Sequence, residues 1–213
     1  MQTDELIGRL AADARPVRRG ALPLRLAVAL LAGVALSFAV MFPWLGLRPD
    51  LQAAAGTSAY WAKFAYALLL AAAGFWAAER LARPGGRAKV QGMVMLVPFL
   101  AVAMLAAVQL LAAPPARQMT LWFGASWSLC PWRIVVLSLP ILAAVLWAVR
   151  GMAPTRLALA GLACGLTAGA AGAWVYGFHC DETAMPFLAL WYTLGVAVTG
   201  ALGALVARPV LRW

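Results

Sequence analysis

Six long apolar stretches, separated by short polar segments, dominate the hydrophobicity pattern of this chain. They cover residues 24–46, 60–82, 92–113, 133–150, 156–178 and 185–207. A helix needs about 20 apolar residues to cross a bilayer, and each stretch is close to that length. The pattern predicts an all-α polytopic membrane helical bundle with six transmembrane helices. It divides the chain into a tail at residues 1–23, a bundle at 24–207 and a short C-terminal segment at 208–213.

Composition supports the same interpretation. Of 213 residues, 65% are hydrophobic and only 11% are charged, whereas a soluble domain is about half apolar and a quarter charged. The net charge of +10 does not indicate direct nucleic-acid binding, because the arginines lie at the ends of apolar stretches. There they match topology signals and lipid headgroups. The lipid bilayer is therefore the first predicted partner.

The distribution of Lys and Arg predicts the orientation. Short loops that are rich in these residues stay in the cytoplasm. The basic residues on the side of the N-terminus are Arg9, Arg15, Arg18, Arg19, Arg25, Arg80, Arg83, Arg87, Lys89, Arg150, Arg156, Arg208 and Arg212. The opposite side has only Arg48, Lys63, Arg117 and Arg133. Both termini are predicted to be cytoplasmic, with Lys63 reaching outward to the interface from the first turn of the second stretch.

Two cysteines lie in polar connections that this topology places on the outer side. Cys130 occurs in Ser128-Leu129-Cys130-Pro131 and Cys180 in the segment after His179, whereas Cys164 lies in mid-stretch as a small buried apolar residue. Three interpretations of the outer pair remain open. The thiols form a permanent structural disulfide, they react reversibly with oxidants, or they bind a soft metal ion transiently. No permanent cofactor is expected.

The residues around Cys180 bear on the last two interpretations. A thiolate and an imidazole suit soft metals, so Cys130, Cys180 and His179 form a candidate metal-ligand set. Asp181 and Glu182 are candidate supporting residues. Their negative charge is expected to disfavour a thiolate at Cys180, while a protonated His179 would favour it.

The N-terminal tail contains a short amphipathic helix in this interpretation. Thr3 is a candidate N-cap, acidic residues follow in the first turn, and Arg15-Pro16 ends the helix. An isolated helix of this length is marginal, so it should order on a partner. The acidic residues favour protein docking over a helix that lies on lipid headgroups, an alternative that stays open. The candidate partner-binding residues are Asp4, Glu5, Leu6, Ile7, Leu10 and Asp13.

Glycines at four-residue spacing mark the fifth stretch. Gly161, Gly165 and Gly169, with Gly172 nearby, predict a close approach of another helix. The sequence leaves open whether that helix belongs to the same chain or to a second protomer, and it does not predict the oligomeric state.

This combination resembles the NrsF-type membrane anti-sigma factors, negative regulators of an extracytoplasmic-function sigma factor in proteobacteria. The matching features are the six spans and four motifs: Thr3-Asp4-Glu5-Leu6-Ile7 with Leu10-Ala11-Ala12-Asp13, Pro16-Val17-Arg18-Arg19, Ser128-Leu129-Cys130-Pro131 and His179-Cys180-Asp181-Glu182. The resemblance implies that the tail holds the sigma factor inactive at the bacterial inner membrane. It also implies that Cys130 and Cys180 sense oxidative or heavy-metal stress and trigger release.

Two other classes fit less well. A membrane thiol oxidoreductase usually needs two cysteine pairs, commonly with a Cys-x-x-Cys motif, and this chain has neither. A small transporter would need charges inside the spans, and the interiors of the apolar stretches have almost none. The sequence therefore predicts a regulatory protein and not an enzyme.

Overall fold

The computed structural model describes residues 3–12 and 20–212 and contains helices and connections, with no strand in these ranges. The tail contains α1, Thr3–Ala12. Six helices are long and apolar enough to span a membrane, which confirms the predicted fold class. They are α2, Ala21–Trp44; α4, Ser58–Leu81; α5, Lys89–Ala112; α7, Cys130–Val149; α8, Leu157–Tyr176; and a last span, Met185–Val210.

The last span is not a regular α-helix throughout. It begins with α9, Met185–Phe187, continues through a π-helical segment, Leu188–Tyr192, and ends with α10, Thr193–Val210. Every predicted limit of a span lies within three residues of the observed one. The predicted start at residue 133 is late because α7 begins at Cys130, with Pro131 in its first turn. Proline is tolerated there since the first amides of a helix have no partner within the helix.

Two short helices in the connections were not predicted. They are α3, Leu51–Ala55, and α6, Pro115–Phe123. Neither has an apolar stretch of spanning length, so the hydrophobicity pattern contained no signal for them.

Helix α8 occupies the centre of the bundle and packs against α4, α7 and α10. Helix α2 packs mainly on α7, and α5 packs on α4. All three cysteines are buried. The end of the bundle where α7 begins and α8 ends is called the thiol end. The tail end is the opposite one, where α2 begins and α7 ends.

The glycines of α8 make its central position possible. A Cβ atom on Gly165 would lie 2.8 Å from the Cα of Gly200 in α10, and one on Gly169 would lie 2.9 Å from the Cα of Val196. Gly161 faces Gly203 in the same way, while Gly172 faces Ser138 of α7. The predicted close approach is confirmed, and the partner helices belong to the same chain.

Candidate functional site

The two cysteines that the sequence singled out meet at the thiol end. Cys130 is the first residue of α7, and Cys180 lies in the connection that follows α8. Their exposed fractions are 0% and 2%, and both are free cysteines. The two side chains lie close enough together that each influences the ionisation of the other. The fold therefore joins two sulfurs from distant parts of the chain in one buried pair, whereas Cys164 is buried separately in α8.

Backbone contacts fix the segment that contains Cys180. The amide nitrogens of His179 and Cys180 both donate to the carbonyl oxygen of Tyr176 at 3.0 Å, which closes a turn at the end of α8. The amide of Arg48, in the connection after α2, donates to the Phe178 carbonyl at 3.1 Å. The position of Cys180 thus depends on both α8 and the end of α2.

Lys63 does not reach outward, and the prediction that it does is wrong. Its side chain points into the bundle and is only 3% exposed. The Nζ atom donates to the carbonyl oxygens of Cys180 at 2.8 Å and Glu182 at 2.7 Å. It also lies 5.8 Å from the ring centroid of Tyr192. The inward direction is favourable because two carbonyls satisfy the ammonium there.

A second cation holds the same segment. Arg48 donates through Nη1 to the Cys180 carbonyl at 3.2 Å, and through Nε and Nη2 to the two carboxylate oxygens of Asp50 at 2.7 and 2.8 Å. Its hydrogen bonds lower the pKa of Asp50 below the ordinary value of 3.8. The charge of Arg48 is therefore paired.

Both ring nitrogens of His179 lie within hydrogen-bond distance of a neighbouring group. Its Nε2 lies 3.3 Å from Nη1 of Arg133, and its Nδ1 lies 3.2 Å from the Gly46 carbonyl oxygen. An arginine only donates hydrogen bonds, so in this arrangement Nε2 accepts from Arg133 and Nδ1 donates to the Gly46 carbonyl. Among residues 3–12 and 20–212, no three His, Cys, Asp or Glu side chains are grouped closely enough to hold a metal ion. The ligand set Cys130, Cys180 and His179 stays a prediction, and metal binding there would require His179 to leave Arg133.

Glu182 connects the two segments that contain the cysteines. Its Oε1 accepts hydrogen bonds from the amide of Ala125 at 2.7 Å, the amide of Ser126 at 3.2 Å and the Ser126 hydroxyl at 3.3 Å. These residues form the turn that leads into α7. Gly124 is required beside them, because its φ is +54° and a Cβ atom there would overlap the Glu182 carboxylate. The neighbouring Asp181 is exposed.

The ionisation of Cys180 differs from the expectation. The neighbouring Cys130 side chain lowers the pKa of Cys180 below its ordinary value, and the charge of Lys63 acts in the same direction, while burial opposes both. The expectation that Asp181 and Glu182 would disfavour the thiolate is not met, because Asp181 is exposed and Glu182 binds the turn before α7. The sequence showed the carboxylates, but only the packing shows which group they face.

At the tail end, α1 places Asp4 and Glu5 in its first turn, and the side chain of Ile7 is 57% exposed. Leu6 and Leu10 lie within α1. Asp13 lies outside the described residues. The face proposed for partner binding therefore stays a prediction.

Arg25, in the second turn of α2, reaches the end of α7. Its Nη2 lies 3.3 Å from the Trp147 carbonyl oxygen and 3.5 Å from that of Arg150, and the guanidinium carbon lies 5.2 Å from the Trp147 ring centroid. A cation at the C-terminus of a helix interacts favourably with the helix dipole. The sequence alone indicated only a topology signal at Arg25.

Comparison with known proteins agrees with the resemblance seen in the sequence. The family model described as "NrsF: Negative regulator of sigma F" matches residues 10–213. The chain is 47% identical over 215 residues to anti-sigma-F factor NrsF of Caulobacter vibrioides (strain NA1000 / CB15N), and the alignment covers 100% of both chains. It is 39% identical over 213 residues to probable anti-sigma-F factor NrsF of Azospira oryzae, again with 100% of both chains covered. No solved structure matches the chain. The chain therefore belongs to the NrsF family of negative regulators of sigma F.

Proposed function

We propose that this protein is an anti-sigma factor of the bacterial inner membrane. It holds a sigma factor of the extracytoplasmic-function class inactive through its cytoplasmic N-terminal tail, and it releases that factor when Cys130 and Cys180 react with an oxidant or a heavy metal. Family membership and the names of the two relatives support the anti-sigma role. The role is regulatory and not enzymatic.

The observation that carries the sensing part is the buried pair of free thiols at the thiol end. With hydrogen peroxide as oxidant, the Cys180 thiolate attacks one oxygen, the O–O bond breaks and hydroxide leaves, which gives a sulfenic acid. The Cys130 thiol then attacks that sulfur, a disulfide forms and water leaves. With a soft metal ion, Cys130 loses its proton and both sulfurs bind the ion as thiolates. Both routes use the same pair.

Helix α7 provides a physical connection between the sensing pair and the tail. Cys130 begins this helix, and Arg25 binds its other end just after the tail. Between these points, the Ser37 hydroxyl of α2 donates to the Leu137 carbonyl at 2.8 Å. A Cβ atom on Gly33 of α2 would lie 2.7 Å from the Cα of Ile141. A displacement of α7 at Cys130 would therefore act on α2, the helix that the tail leads into.

The tail segment suits docking on a protein groove. Helix α1 places Leu6, Ile7 and Leu10 on one face at 100° per residue, and Ala12 on the opposite face. A helix of this kind binds through a few apolar anchors. In this proposal, Asp4 supplies a polar contact beside that face, and the roles of Glu5 and Asp13 stay predictions from the sequence.

A sigma-dependent reporter in intact cells tests both parts. Cys130→Ser and Cys180→Ser should abolish induction by peroxide or cadmium, whereas Cys164→Ala should keep it. Leu6→Asp and Leu10→Asp should raise the unstressed reporter output, and Ala12→Asp, on the opposite face, should not. Normal induction in both serine variants would refute the sensing role. Full repression in both aspartate variants would refute the role of the tail.

A further inference from the structure

An open groove lies between α5 and α8 at the tail end of the bundle. Both helices pack on α4 but not closely against each other, which leaves a cavity of about 290 Å³. Leu159 and Gly92 in its lining are exposed, so the cavity opens on the surface of the bundle. Apart from two basic residues, the lining is apolar. The larger apolar side chains in it are Leu81, Met95, Leu159, Leu162 and Leu166.

The length of the groove matches one acyl chain. Its lining along α8 runs from Arg156, at the start of the helix, to Leu166. At the rise of an α-helix this distance is roughly 15 Å, and half of the hydrocarbon core of a bilayer is also about 15 Å. The groove therefore extends over the depth of about one leaflet, and its basic end lies where the headgroups begin.

Basic side chains without ionic partners line the mouth of the groove. Lys89 is the first residue of α5, and Arg156 directly precedes α8. A second cavity, of about 400 Å³, shares Arg156 and adds Arg208 and Arg212 on another side of α8. All four side chains are exposed, and none of them forms an ion pair in the part of the chain that the structure describes. The mouth thus has a positive charge that no described carboxylate neutralises.

We propose that this groove is a binding site for an anionic phospholipid of the leaflet at the tail end. One acyl chain lies between α5 and α8, and the phosphate lies between Lys89 and Arg156. Basic pockets between spans suit acidic headgroups. An apolar groove of leaflet depth suits an acyl chain better than a free phosphate, which has no apolar part, or an extended peptide, whose backbone would lack hydrogen-bond partners there.

The bound lipid has a structural consequence. It fills the gap between α5 and α8 and so ties α5, the least buried of the six spans, to the centre of the bundle. This inference goes beyond the proposed function and does not depend on the anti-sigma role.

Native mass spectrometry of the full-length protein in neutral detergent tests the proposal. The probes are phosphatidylglycerol and phosphatidylcholine with identical oleoyl chains, and the affinity of the first bound lipid is measured. Phosphatidylglycerol should bind about 30-fold more tightly, since each basic residue near a membrane surface contributes about fivefold to the attraction of an anionic lipid. The double variant Lys89→Gln with Arg156→Gln should lose this preference.

A control variant and a blocked groove separate general charge from the site. Arg80→Gln combined with Arg150→Gln removes the same charge from the same end, outside the groove, and should keep the preference. Gly92 lines the groove, and no atom lies within 4 Å of an added Cβ atom. Gly92→Phe should therefore obstruct the acyl chain and weaken the binding of phosphatidylglycerol about 10-fold or more without any change of charge.

The proposal fails if the wild type binds the two lipids equally, or if either the double variant or Gly92→Phe binds phosphatidylglycerol as the wild type does. Glycerol 3-phosphate, which has the phosphate but no acyl chains, should not compete. Competition by it would show a site for a free phosphate compound and would overturn the lipid assignment. If the double variant does not fold, Lys89→Gln and Arg156→Gln are measured singly, and a full preference in both would refute the site. The sigma factor takes no part in these measurements, so their failure would leave the proposed function standing.

Discussion

Replacement of Glu182 tests the contact that keeps the two cysteines of the thiol end buried. Three hydrogen bonds to its Oε1 join the connection that contains Cys180 to the turn before Cys130. Each hydrogen bond of this kind contributes about 1 kcal/mol or more. Glu182→Ala should therefore cost the closed site about 3 kcal/mol, which corresponds to an increase in the open population of roughly 10²-fold. Charge-assisted hydrogen bonds are about twice as strong as neutral ones, so Glu182→Gln should lose only about half of this energy. The open population should then increase only about 10-fold.

The rate at which N-ethylmaleimide labels Cys130 and Cys180 measures this opening. Both thiols are buried, so labelling requires local opening, and its rate follows the open population when closing is fast. Asp181→Asn is the matched control, because it removes a neighbouring carboxylate that is exposed and that does not bind the turn before α7. The measurement is made above the ionisation midpoint of Cys180. Equal rates in Glu182→Ala and Asp181→Asn would refute the reasoning.

Two further predictions concern helix packing. Gly165→Ala should destabilise the protein by about 1–3 kcal/mol, because its Cβ atom would overpack against α10. Gly92→Ala should stabilise the protein by up to about 1 kcal/mol, because no atom lies within 4 Å of the added Cβ atom. Unfolding in mixed micelles measures both changes, and equal stability of the two variants would contradict the close α8–α10 contact. Arg25→Gln should raise the unstressed output of the sigma-dependent reporter and leave thiol labelling unchanged. Arg208→Gln, at the same end of the bundle, should change neither measurement. An unchanged reporter output in Arg25→Gln would exclude the proposed coupling through the end of α7.

The limits of the spans follow from local properties of the sequence. A backbone in lipid must satisfy its own hydrogen bonds, so an apolar stretch of sufficient length forms a helix whatever surrounds it. The start of α7 at Cys130 depended on one further local rule, the tolerance of proline in the first helical turn. The glycine spacing of α8 likewise predicted a close neighbour, but it did not identify α10.

The chemistry of the thiol site was predicted only in part. The sequence identified Cys130 and Cys180 from their residue type and their place at the ends of spans, and it identified the apolar face of the tail from periodicity. It placed both cysteines on the same side of the membrane but did not show that their side chains lie close together, and it predicted the wrong direction for Lys63. The reason is that the acceptors of Lys63 lie 117 and 119 residues away along the chain.

Tertiary structure decided these points because each is a competition between distant groups. The Lys63 ammonium could interact with lipid headgroups or with the carbonyls of Cys180 and Glu182. Only helix packing brings those carbonyl oxygens within 3 Å of its Nζ. The Glu182 carboxylate could face the Cys180 sulfur or bind the turn before α7. Gly124, with its positive φ and no side chain, leaves space for the carboxylate at the turn. The sequence by itself determined which segments enter the membrane and which residue types lie at their ends. The packed bundle determined which of those residues face each other, since the strength of every polar contact in a low-dielectric interior depends on distance and orientation.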